Sequence, residues 1–246
     1  MLPYLRLGPF LLQLPGLALL IGVWIGLSLA EKEAKRINLR SDNIYNLVFY
    51  GLVSGLVGAR LAYAARYASV YLENPLSLFA LNANTLSIWE GLLVGLLVST
   101  IYAQRKGMPL KLTLDALAPG LAVFMVFFGI GHLLSGDAFG APTRLPWSVY
   151  LWNEYRHPSQ VYEILAALGV FYLLWKQPPG ERGSGSNFLW LIALSAAARL
   201  FLEAFRGDSL LWLGGLRAAQ VISLGIMLAA LWGMRSFQPK ERSENQ

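Results

Sequence analysis

The chain has 246 residues, of which 56% are hydrophobic and only 14% charged, and its mean hydropathy is +0.49. A soluble domain of this length needs its charges dispersed over a solvated exterior, whereas here they gather in short clusters between apolar runs long enough to cross roughly 30 Å of hydrocarbon. The net charge of +6 comes mainly from those clusters, which suits anionic lipid, and with no patch of interleaved aromatic and basic residues it excludes a nucleic-acid partner.

In chain order, the hydropathy pattern predicts seven spans over about 9–30, 44–66, 86–104, 113–134, 158–175, 187–205 and 212–234. Helices are expected because backbone amides in lipid must pair within their own segment or around a closed barrel, and these runs are continuous rather than alternating. The fold class is therefore an all-α integral membrane protein, one transmembrane domain over 1–246. Lys32, Lys35, Arg36 and Arg40, then Arg105, Lys106 and Lys111, then Lys176 and Arg182, mark one set of alternate loops as cytoplasmic. That places the N-terminus outside and the C-terminal tail, 235–246, in the cytoplasm. Ser28-Leu29-Ala30 has the small-x-small look of a signal-peptide cleavage site, but the apolar run before it is long and the basic cluster after it reads as a cytoplasmic anchor. The chain has no cysteine, so disulfides, lipid attachment to its own thiols and a cysteine nucleophile are excluded; a thiol in the chemistry would belong to a substrate.

Between the second and third spans, residues 68–85 carry Tyr71, Glu73, Asn74 and Pro75 and read as an outer interfacial segment. Residues 136–157 read as an outer motif loop, and Gln177 to Asn187 as a flexible inner loop rich in Pro, Gly and Ser. There is no internal repeat.

Chemistry is expected among ionisable groups that lipid would penalise if unpaired. The candidates are Arg60, Glu90, Asp115, His132, Asp137, Glu163, Arg199 and Glu203. Asp115 and Arg66 read more simply as charges that snorkel to headgroup level. Arg199, Glu203 and Arg206 are spaced by four and three, which puts two guanidiniums and one carboxylate on a single helical stripe. Arg199 and Glu203 can neutralise each other, so Arg206 is the spare cation, suited to bidentate contact with a phosphate. Arg156, His157, Pro158, Ser159 and Gln160 open the fifth span with more donors than a helix start requires. Gly129 and Gly131 read as helix-packing positions.

These residues carry a resemblance to the bacterial prolipoprotein diacylglyceryl transferase family, running from about Gly8 to Ser223. Its most specific piece is Arg156-His157-Pro158-Ser159-Gln160 followed by Tyr162-Glu163. Gly58-Ala59-Arg60-Leu61, Asn74-Pro75, Asp115 with Ala118-Pro119, Gly136-Asp137 with Gly140, Leu145-Pro146-Trp147, the Arg199 to Arg206 stripe, and Gln220 with Ser223 are also similar. The resemblance implies a multi-pass protein of the bacterial plasma (inner) membrane that moves the diacylglyceryl group of phosphatidylglycerol onto the lipobox cysteine of a prolipoprotein. Its partners would be phosphatidylglycerol, the lipobox peptide and the bilayer, with no cofactor and no metal. The match departs at catalytic positions: the family's His-Gly-Gly corresponds to Trp89-Glu90-Gly91, its first-span tyrosine to Pro15, and the arginine and asparagine of its Gly-Arg-x-Gly-Asn segment to Gly129 and His132.

Within the resemblance, a rearranged active site would use His132, Glu90 or Asp137 to take the thiol proton, with Arg199 and Glu203 completing the catalytic set. Arg60, Arg156, Arg206, Gly140, Ser159 and Gln160 would then bind the phospholipid headgroup, the arginines converging beneath the outer leaflet. Two other readings stand beside it: a degenerate paralogue that binds lipid or lipoprotein precursors without turnover, and a small transporter.

Overall fold

The computed structural model describes residues 3–8, 10–79, 85–177 and 184–237. Residues 238–246 of the expected tail, 178–183 of the inner loop and 80–84 of the outer segment lie outside the described residues. Eight α-helices are described: α1 (Leu14–Arg36), α2 (Ser41–Arg66), α3 (Ala68–Glu73), α4 (Ile88–Arg105), α5 (Leu110–Ser135), α6 (Ser159–Trp175), α7 (Ser186–Leu202) and α8 (Ala218–Phe237). Two short antiparallel hairpins, β1 (Tyr4–Leu7) with β2 (Phe10–Gln13) and β3 (Val149–Leu151) with β4 (Glu154–Arg156), accompany this helical fold among the described residues.

Among the described residues, five helical segments are long and apolar enough to cross a membrane: α1, α2, α5, Ser186–Phe205 and Ala218–Arg235. α6 is a shorter apolar helix, and α4 has 18 residues. Two spans start later than hydropathy predicts. The first is expected from 9, but residues 10–13 are extended and pair with 4–7 across a turn at Gly8 (φ 60°); α1 begins at Leu14, with Pro15 in the first turn, where its missing N–H costs nothing. The last is expected from 212, but Gly214 and Gly215 take left-handed φ values of 83° and 81°, so a single 3₁₀ turn precedes α8.

Helix ends follow local chemistry. α1 closes with Asn38 at φ 58° and a bond from the Leu39 N–H to the Ala34 carbonyl at 2.8 Å, and α4 closes likewise at Gly107 (φ 60°), the Met108 N–H reaching the Ala103 carbonyl at 2.9 Å.

The chain forms two compact units, Arg40–Leu110 and the remainder. In the first, α2 packs on α4 through small residues. A Cβ at Gly91 would lie 2.7 Å from the Gly55 carbonyl oxygen, and one at Gly95 would lie 2.7 Å from that of Gly51. Such close backbone approach suits helices that associate in lipid, where dispersion contacts rather than water exclusion hold them together. Arg60 organises the segment that links α2 to α4 in this unit. Its Nε donates to the Leu78 carbonyl (2.8 Å), Nη2 to Ser77 (2.5 Å) and Nη1 to the Thr85 carbonyl (3.0 Å) and hydroxyl, while Tyr71 lies against the guanidinium.

In the second unit, α1 and α5 touch at Gly26 and Gly120, where a Cβ on Gly26 would lie 2.7 Å from the Gly120 carbonyl oxygen. Gly129 likewise lies against Ile164 of α6. Ala118 and Ala122 of α5, Val170 and Leu174 of α6 and Leu191 of α7 form a buried cluster flanked by Phe171, Phe188 and Leu194. Asp115 corrects the snorkelling expectation: it is 0% exposed, and its carboxylate accepts from the Gly185 and Phe188 N–H groups at 2.8 and 3.0 Å. It thereby caps α7, answering amides that no carbonyl of that helix can reach. Asp115→Ala is expected to lower stability by about 1–3 kcal/mol, the cost of leaving buried donors unmet, seen as a drop in the thermal unfolding midpoint in detergent.

Candidate functional site

At the end of the larger unit where α5 finishes and α6 begins, the chain 139–143 runs between two other segments. On one side the Gly207 N–H donates to the Phe139 carbonyl (2.9 Å) and the Ala141 N–H to Phe205 (2.8 Å). On the other the His157 N–H donates to Ala141 (3.0 Å) and the Thr143 N–H to Tyr155 (2.8 Å). Gly140 sits at the crossing, and an added Cβ would overlap the His157 carbonyl oxygen, so only glycine fits. Glycine is required here for space, its φ being ordinary.

Residues expected to face a headgroup instead brace this loop. Ser159 is 2% exposed and its hydroxyl donates to the Ala138 carbonyl at 2.6 Å; Gln160 is 1% exposed and its amide donates to the Asp137 carbonyl at 2.9 Å. Arg156 donates to the carbonyls of Leu151 (3.3 Å) and Gly140 (3.2 Å), pairs with Glu154 at 2.6 Å, and lies over the Phe139 ring. The Asp137 side chain is exposed.

Just inside the loop, one carboxylate gathers the ionisable groups. Glu163, in the second turn of α6, meets His132 of α5 (Nδ1 to Oε2, 3.0 Å), Arg199 of α7 (Nη1 to Oε1, 3.2 Å) and Arg206 (Nη1 to Oε1, 2.5 Å). Arg199 also reaches Glu203 at 3.0 Å, the pairing expected at a spacing of four. α7 ends before Arg206: Glu203–Phe205 form a 3₁₀ turn and Arg206 is extended, yet its guanidinium still returns to Glu163.

Arg206 is not the spare cation expected. It forms a bidentate pair with Asp208 (Nε to Oδ1 2.9 Å, Nη2 to Oδ2 2.6 Å) in addition to Glu163, and the residue is 8% exposed. Burial disfavours its charge, but Asp208 and Glu163 outweigh that, so the guanidinium is held above the ordinary arginine range. Arg217 holds the turn together from behind, Nη1 donating to the Glu203 carbonyl, to the Arg206 carbonyl (2.8 Å) and to the Ser209 hydroxyl (2.8 Å).

The expected convergence of four arginines therefore takes a different form. Arg199 and Arg206 share Glu163; Arg156 clamps the adjoining loop; Arg60 belongs to the other unit, where it binds the segment between α2 and α4. Glu90, also in that unit, forms a largely exposed pair with Arg66 at 2.7 Å. Sequence reasoning named Glu163 among the ionisable groups but gave it no role, and it passed over Asp208 and Arg217. The available signal was position, since Glu163 lies one turn beyond Ser159, directly after the dense run of donors that opens the fifth span.

A cavity of about 180 Å³ opens beside this cluster. His132, Glu163 and Arg199 form its polar end, and Met125, Phe128, Ala166, Ala167, Val170 and Ala198 line much of the rest. Arg199 is the guanidinium with most access, its side chain 40% exposed against 9% for Arg206. His132 packs edge-on against Phe128, and with Nδ1 at Glu163 its Nε2 has no protein partner among the described residues. The arrangement can hold a hydrocarbon group beside a cation and an oriented imidazole.

The family model described as prolipoprotein diacylglyceryl transferase matches residues 3–235. A phosphatidylglycerol–prolipoprotein diacylglyceryl transferase of Clostridioides difficile (strain 630) is 32% identical over 209 residues, covering 85% of this chain and 84% of the relative. Relatives of the same name from Trichormus variabilis and Bacillus cytotoxicus are 30% and 29% identical, covering 96% and 92% of this chain and 89% and 88% of their own. For the loop, Gly140→Ala is expected to cost about 1–3 kcal/mol through overpacking against His157, read as a lower unfolding midpoint.

Proposed function

The chain belongs to the prolipoprotein diacylglyceryl transferase family, and from that premise we propose that it transfers the diacylglyceryl group of phosphatidylglycerol to the cysteine thiol of a lipobox peptide. The observation that carries this reading is the cavity lined by His132, Glu163 and Arg199 and otherwise mainly by apolar residues, with Ser195 among them. It offers one chain a place for hydrocarbon and, within contact of it, groups for an anion and for a proton.

In this reaction the thiolate sulfur attacks the glycerol carbon that bears the phosphate; the S–C bond forms as the C–O bond breaks, and glycerol phosphate leaves with the oxygen. A thiol with an ordinary pKa of about 8.5 must first lose its proton. His132 supplies the base. Glu163 accepts from Nδ1–H, which fixes the tautomer and leaves the Nε2 lone pair free for the thiol proton, and the same carboxylate then stabilises the imidazolium. Arg199, half-exposed at the cavity, faces the phosphate as its charge grows. Arg206 acts by position, holding the Glu163 carboxylate in place, while Arg156, Ser159, Gln160 and Gly140 keep the loop above it rigid. Arg60 does the same for the outer segment of its own unit.

The chain is read as a multi-pass protein of the bacterial inner membrane. α4 and α6 bring the five long spans to seven, with the N-terminus outside. The positive-inside distribution supports this orientation, because Lys32, Arg36 and Lys176 lie at the opposite end of the larger unit from Glu163, the first two over the Trp175 ring.

Purified protein mixed with phosphatidylglycerol and a lipobox peptide is expected to add one diacylglyceryl mass to the peptide cysteine. His132→Ala should slow the gain about 10²–10⁴-fold, the usual contribution of a general base, and Arg199→Ala should weaken lipid binding roughly tenfold or more, since a hydrogen bond to a charged group contributes about 1.5–3 kcal/mol. No mass gain with the unaltered protein would leave a lipid-binding paralogue. Normal rates in His132→Ala would reject that base and direct attention to Glu90 or Asp137.

A further inference from the structure

Apart from Arg156, which braces the loop, the β3–β4 hairpin between α5 and α6 takes no part in the chemistry above, yet it carries two unusual features. Its two-residue turn, Trp152-Asn153, has both φ values positive, 54° and 62°. That backbone matches the right-handed twist of a hairpin, but asparagine and glycine normally occupy it; a bulky aromatic at φ 54° is strained. The second feature is exposure: Tyr150, Trp152 and Tyr155 are 65%, 62% and 60% exposed, and Tyr150 and Tyr155 are direct cross-strand partners with rings 5.3 Å apart. Three large rings thus project at one tip, against the tendency of water-facing turns to be small and polar.

The tip cannot fold back to cover them. Arg156 fastens β4 to the Leu151 and Gly140 carbonyls, and the Thr143 N–H to Tyr155 carbonyl bond fastens it to the loop. Nor is it far from lipid, because α5 ends at Ser135 and α6 starts at Ser159, only three residues after β4. Both are apolar helices whose lipid boundary must fall near the hairpin's base. Tyrosine and tryptophan, each with an apolar ring and one polar atom, partition to the headgroup layer of such a boundary.

We propose that this hairpin is a membrane-surface anchor, its tip of Tyr150, Trp152 and Tyr155 seated in the headgroup layer of the bilayer that α5 and α6 cross. Held there, it sets the depth of the loop that roofs His132, Glu163 and Arg199. The partner is a lipid surface, recognised by its polarity gradient and not by a particular headgroup.

The absence of cysteine allows a single label. Asn153→Cys carrying a nitroxide, in nanodiscs of phosphatidylglycerol and phosphatidylcholine, is to be measured for collision with oxygen and with a water-soluble nickel chelate, the depth scale set by nitroxide lipids. Seating in the headgroup layer is expected. Trp152→Gly in the same labelled protein keeps the positive-φ backbone while removing the ring, and is expected to shift the label toward water. A label as accessible to nickel as one in bulk solution overturns the proposal, and so does a depth indifferent to loss of the Trp152 ring. Neither readout depends on turnover, so the result stands apart from the transferase assignment.

Discussion

The arrangement at the loop end of the larger unit depends on the Glu163 carboxylate, which is answered from three directions at once. Its Oε2 holds the His132 ring of α5, and its Oε1 receives both Arg199 of α7 and Arg206 beyond it. A carboxylate taken from water into this setting loses hydration worth several kcal/mol, which only well-placed cations and donors offset. Each partner therefore needs the others. Without Glu163, Arg199 keeps Glu203 and Arg206 keeps Asp208 as the closest acidic partner, and the His132 ring loses the one hydrogen bond on Nδ1 and keeps only its packing on Phe128.

Around that carboxylate the surroundings are layered by degree of access. Arg206, tied to Asp208 as well, is nearly buried and charge-satisfied, whereas Arg199 keeps much of its side chain open at the cavity. Outside them, the loop 139–143 is secured by main-chain bonds on both flanks and by Gly140, Ser159, Gln160 and Arg156. This is the pattern expected of a preorganised polar site: groups that meet a ligand are few, and the rest fix their positions so that little reorganisation accompanies reaction.

Sequence alone made the membrane helices legible, because long continuous apolar runs between charge clusters are costly in water and match the thickness of lipid. It placed residues 10–13 and 212–217 wrongly for a local reason. Gly8 and the Gly214-Gly215 pair take left-handed backbone that hydropathy does not register. The stripe from Arg199 to Arg206 pointed to the right end of α7, but treating it as one helix hid two facts: Arg206 has left the helix, and Asp208, two residues on, already neutralises it. Asp115 was misread because a cap that accepts amides 70 residues away in sequence leaves no local trace. Ser159, Gln160 and Arg156 stood out in sequence as a dense run of donors, yet the carbonyls of Ala138, Asp137 and Gly140 that they serve are a matter of tertiary contact.

For this site to act as described, His132 and Glu163 must work as one unit, and a double-mutant cycle on transfer rate tests this directly. If Glu163 acts through His132, a protein carrying both His132→Ala and Glu163→Gln should transfer no more slowly than the one lacking His132 alone. Losses that multiply in the double variant would show that the two side chains act independently and would contradict the coupling described here.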